Sequence, residues 1–111
     1  MATISNLFIN QDTDFSTTVT VNDSSGSALN LTSYTALAMI RKTYQSTTAT
    51  TFTSTFAADR TTGQITISLT DAQTALLEDG RYVYDLVVTD NSGIKTRVVE
   101  GIATVTPGVS R

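Results

Sequence analysis

"LEDGRYVYDLVVTDNSG", Leu77 to Gly93, places an Asp-Gly pair two residues ahead of a tyrosine that opens a run of alternating tyrosines and aliphatics. Period-two alternation closed by a D-N-S-G turn reads as a strand entering a hairpin. In immunoglobulin-like sandwiches, a tyrosine near the start of the sixth strand bonds back to the preceding crossover. Asp79-Gly80-Arg81-Tyr82 has that form. Gly80 permits the sharp backbone turn, and the Tyr82 hydroxyl is expected to reach backbone within residues 70–80 as a corner clamp.

The same alternation recurs on both sides of this stretch. Phe15, Thr17, Val19 and Val21 share one face of a strand that ends at N-D-S-S-G. Tyr34, Ala36, Ala38 and Ile40 alternate through the next, with Leu37, Met39 and Arg41 opposite. T-T-F-T-S-T-F sets Phe52 and Phe56 on one face and Thr51, Thr53 and Thr55 on the other. Ile65, Ile67 and Leu69 follow an R-T-T-G turn. DAQTALL, residues 71–77, breaks the pattern: Asp71 is a candidate cap, and Ala72, Ala75 and Leu76 fall at helical spacing.

With an opening strand around Ile4 to Ile9 and a closing one through IKTRVVEGIATVT, the pattern predicts a single domain over residues 1–111. It is an all-β, seven-stranded antiparallel immunoglobulin-like sandwich with one short helical crossover. Gly101 interrupts the last strand, where glycine marks a bulge or a close backbone approach; the apparent shift of face favours a bulge.

Composition agrees with that class and excludes others. Threonine makes up roughly a fifth of the 111 residues, and this β-branched residue suits a pleated, half-exposed surface. A chain of this length buries roughly 65% of its unfolded surface, enough for one core without covalent staples. It has no cysteine, hence no disulfide or thiolate metal site, and no histidine, the usual general base and metal ligand. The net charge of -3 gives no attraction to phosphate backbones, so no nucleic-acid partner is expected. MATISNLFIN lacks the basic and apolar regions of a signal peptide, and no run approaches the roughly 20 apolar residues of a membrane helix. A product made in the cytoplasm, with no membrane partner, is the expectation; the triplets at Asn22 and Asn30 then carry no glycan.

Few residues resemble reactive chemistry. Asp12 and Asp14 could offer oxygens to a hard cation, but a calcium loop needs more ligands at fixed spacing. Glu78 and Asp79 are adjacent, so as strand residues they point to opposite faces and share no proton. The serines have no histidine, and Lys42 and Lys95 sit in no nucleophile motif. No catalytic residue, cofactor or metal is expected. Asp85, Lys95, Arg97 and Glu100 lie among apolar residues and read as one polar sheet face, with Asp85 a candidate cross-strand partner of an arginine.

Two blocks, DFSTTVTVNDSSGSALNLTSYTALAMIRK (14–42) and GQITISLTDAQTALLEDGRYVYDLVVTDNSGIKTRVVEGIATVTPGVSR (63–111), carry a resemblance. They are similar to small phage and prophage proteins that resemble the amino-terminal immunoglobulin-like module of phage baseplate upper proteins. Its most specific pieces are YVYDL after Gly80 and the terminal VTPGVSR. Ser33 stands where that group often has glycine, and QDTDF rearranges its first-strand motif. The resemblance implies no catalytic residues. It implies a bacteriophage virion structural protein, located in tail, baseplate, neck or capsid decoration, that works by protein-protein contacts in a symmetric multi-copy assembly. Expected contact regions are residues 1–14, the threonine strand 47–56 with Thr51, Thr53 and Thr55, and the tail 106–111 ending in Arg111. The alternative is a carbohydrate-binding or host-surface adhesion module. Against a host glycan ligand, the loops offer only Tyr44 as an exposed aromatic.

Overall fold

The computed structural model describes residues 3–23, 25–47 and 49–108. Nine strand segments occur among the described residues: β1 Thr3–Ile4, β2 Leu7–Asn10, β3 Phe15–Thr20, β4 Thr35–Arg41, β5 Thr50–Thr51, β6 Thr53–Phe56, β7 Gln64–Leu69, β8 Gly80–Thr89 and β9 Lys95–Thr106. They make the seven expected rows, because β1 and β2 both lie along β9, while β5 and β6 are one stretch divided at Phe52. One sheet runs β1-β9-β8-β4-β5, with β2 also on β9, and the other runs β3-β7-β6. Thus β4, β8 and β9 take the places of strands C, F and G of an immunoglobulin-like sandwich, and β3, β6 and β7 those of B, D and E.

Three features differ from the sequence reading. The opening strand pairs with the last one in parallel, so the sandwich is not wholly antiparallel. The single bulge in the β8–β9 register lies opposite Leu86/Val87, where Val98 is the extra residue, and Gly101 pairs in register with Tyr84. Gly101 instead serves close approach: a Cβ there would sit 2.2 Å from the Ser5 carbonyl oxygen. In the crossover, Thr70 rather than Asp71 caps helix α1 (Asp71–Ala75), forming a reciprocal capping box with Gln73. Ala72, Ala75 and Leu76 face solvent, and the turn docks through Thr74 and Leu77. A one-turn helix has too little apolar surface for an amphipathic stripe. A polar anchor positions it instead, with the buried Thr74 hydroxyl donating to the Thr13 carbonyl at 2.8 Å.

The alternation elsewhere is as read. Ile9, Val21, Ala38, Ile40, Phe52, Ile65, Ile67, Leu69, Leu86, Val88 and Val105 fill the space between the sheets. At the D-N-S-G turn, the Asp90 carboxylate accepts from the Ser92 and Ile94 amides, and Gly93 adopts φ +86°.

Candidate functional site

Two tyrosines on the inward face of β8 lock the corners of the sandwich. The buried Tyr82 hydroxyl donates to the Glu78 carbonyl at 2.9 Å, inside the crossover, and Lys42 Nζ lies 4.7 Å from its ring centroid. Gly80 precedes it at φ +132°, a backbone that L side chains rarely adopt. Tyr84, two residues on, donates to the Ser5 carbonyl. It can do so because its register partner is Gly101. The missing side chain lets the chain kink inward between β1 and β2, with the Asn6 side-chain oxygen accepting from Ile102 N. Burial pushes both phenols above the ordinary value of 10.0. Sequence reasoning missed the Tyr84 tie, although a second inward tyrosine needs a partner for its hydroxyl. These are structural roles.

The threonine ladder does not form one surface. Phe52 turns into the core where the chain passes from one sheet to the other, so Thr51 sits on the large sheet beside Met39, while Thr53 and Thr55 sit on the small one. There they join Ser16, Thr18, Thr20, Gln64, Thr66 and Ser68 on an outer face without charge, where the Thr18 and Thr66 hydroxyls are 2.8 Å apart. Arg111 lies outside the described residues.

The outer face of the large sheet carries Asp85, Lys95, Arg97 and Glu100 together, and it sets exposed apolar side chains among them. Across its strands run the rows Leu37–Val87–Arg97, Thr51–Met39–Asp85–Glu100–Ile4, Arg41–Val83–Ile102 and Arg81–Thr104–Phe8. Ile4 is 75% exposed, Phe8 72%, Leu37 51% and Ile102 42%, with Met39, Val83 and Val87 half-buried between them. Arg97 sits within this face, its guanidinium 3.1 Å from Asp85 and 3.8 Å from Glu100. The Asp85–Arg97 pair is diagonal, since Glu100 is the register partner of Asp85. Tyr44, 73% exposed, borders a shallow cleft with Met39, Arg41 and this ion cluster. The signal was available in the sequence: TALAMI and YVYDLVV carry apolar residues on both faces, more than a strand with one solvated face needs.

Among the described residues, no group of three or more His, Cys, Asp or Glu could hold a metal ion, and no helix is long and apolar enough to cross a membrane. No family model and no curated protein matches the chain. Among solved structures, an internalin-like protein of Listeria monocytogenes is similar at 17% identity and a TM-score of 0.46. The match covers 96% of this chain and 28% of that one.

Proposed function

We propose that this chain is a non-enzymatic docking module of a bacteriophage virion, held in tail, baseplate, neck or capsid surface by contacts with other virion proteins. The observation that carries the docking role is the apolar outer face of the large sheet. Ile4, Phe8 and Ile102 expose large apolar side chains at one side of this face and Leu37 at the other, and exposed apolar clusters of this kind mark interaction sites. The Asp85–Arg97–Glu100 cluster within the face adds little to stability while exposed. Once covered, it fixes the orientation of the partner, because a displaced charge pair is costly to leave desolvated. The virion setting is supported by the resemblance of residues 14–42 and 63–111 to small phage proteins.

Mass spectrometry of gradient-purified particles tests this reading. The protein is expected among the virion components, in a copy number fitting a closed symmetry. Abundance in the infected cell with absence from mature particles overturns it. One observation favours a second reading, a glycan ligand: Tyr44 offers an exposed ring beside Arg41, Asp85, Arg97 and Glu100. Chemical-shift changes confined to Tyr44 and these neighbours on adding oligosaccharides would move that reading ahead.

A further inference from the structure

The sandwich has four sheet edges, and they are unequal. β5 has two residues and β6 four, separated by the inward turn at Phe52, and the β1–β2 edge is interrupted at Ser5 and Asn6. β3 is different: it ends the β3-β7-β6 sheet as six uninterrupted residues, FSTTVT, and among the described residues no strand pairs with its other side. It has none of the devices that blunt edges, such as proline, lysine, a bulge or an inward charge.

The hydrogen bonds define which groups face outward. The amide of Val21 donates to the Gly63 carbonyl, and that of Ala57 to the Gln64 carbonyl. Antiparallel alternation then directs the backbone groups of Phe15, Thr17 and Val19 to β7, and leaves those of Ser16, Thr18 and Thr20 on the open side.

We propose that this edge pairs with the same edge of a second copy, antiparallel, with Thr18 on the two-fold axis. Ser16 then lies across from the partner copy's residue 20, and Thr17 across from residue 19. Like faces stay together: hydroxyls of Ser16, Thr18 and Thr20 outward, and Phe15, Thr17 and Val19 inward, with Phe15 and Val19 against the core they already border. Charge selects the direction. An antiparallel pair about Thr18 brings Asp14 against residue 22, an asparagine, and Asp23 against residue 13, a threonine. A parallel pair would stack each aspartate on its own copy. The result is one continuous six-stranded sheet with an all-hydroxyl face and about six new backbone hydrogen bonds. A six-residue edge lies at or below the small end of specific interfaces, about 1,200 Å², so the dimer is weak and forms at high local concentration, as in an assembled particle. The apolar face of the other sheet stays free for a different partner.

The test is the concentration dependence of amide signals and mass on the whole chain, from about 10 µM to 1 mM, the range a small interface calls for. The amides of Ser16, Thr18 and Thr20 are expected to exchange fast when dilute and to gain protection and shift on concentration, while those of Phe15, Thr17 and Val19 are protected throughout. Thr18→Pro removes only an outward-facing amide and is expected to weaken association by roughly 30-fold. Thr18→Lys keeps the amide and sets like charges opposite each other across the axis, so its dimer should weaken and recover with salt. A monomer at every concentration, a dimer indifferent to both variants, or shifts mapping to Phe8, Leu37 and Ile102 would overturn the proposal.

Discussion

Single hydroxyls and single backbone angles set much of the residue-scale behaviour of this chain. Tyr82→Phe removes a bond to the Glu78 carbonyl and Tyr84→Phe one to the Ser5 carbonyl. Each variant should lose about 0.5–1.5 kcal/mol in denaturant titration while keeping the fold. Both phenols have folded pKa values raised by burial, so the neutral form is the one the fold prefers. The stability this provides is complete below the unfolded value of 10.0 and is lost as pH rises through the folded values. Melting temperatures should therefore fall above pH 10 in the parent, and less steeply in the double phenylalanine variant relative to its own value at pH 8. Ser33 makes a separate case. It adopts φ +68°, a left-handed backbone that favours glycine. Ser33→Gly relieves about 1–2 kcal/mol of that strain and gives back up to about 1 through chain entropy, so a small rise in stability is expected.

At the scale of elements, what could be read from the sequence followed the strength of its periodicity. β3, β4, β7 and β8 alternate over six or more residues, and a one-residue slip would expose every core side chain, so their faces were legible. Three features lacked such a signal. The parallel course of β1 and β2 on β9 depends on long-range pairing. The bulge at Val98 leaves only a one-residue shift inside a run, KTRVVEGIA, whose two alternate faces both mix polar and apolar residues. The Thr51–Thr53–Thr55 ladder looked continuous because nothing local to Phe52 announces a change of sheet. The crossover departs from its sequence pattern for a related reason: its apolar alanines suggest a buried stripe, whereas Thr70, Gln73 and Thr74 position the turn by hydrogen bonds. Thr70→Ala should accordingly cost about 1 kcal/mol, the usual worth of an N-cap. Ala75→Ser, on the exposed side, should lie within about 0.5 kcal/mol of the parent in the same denaturation series.

The molecule as a whole presents two unlike faces, uncharged hydroxyls on the small sheet and exposed aliphatics with an embedded ion cluster on the large one. Under the proposed function that asymmetry separates folding from docking, because Phe8, Leu37 and Ile102 point away from the core. Replacing Phe8, Leu37 and Ile102 together by threonine keeps β propensity on a pleated surface and removes the apolar patch. Exposed substitutions of this kind each stay within about 0.5 kcal/mol, so the triple variant should keep the fold and lose at most about 1.5 kcal/mol. Its incorporation into particles should nevertheless fall, since the centre of an interface carries most of its energy in a few anchors. The measurement is a competition: tagged parent and variant produced together during particle assembly, with their ratio in purified particles compared with that in the lysate. A docking role for this face requires the particle ratio to drop well below the lysate ratio while the variant remains folded. Equal ratios would transfer the docking role to the β3 edge or to the segments around it, where Thr18→Pro reports in the same assay.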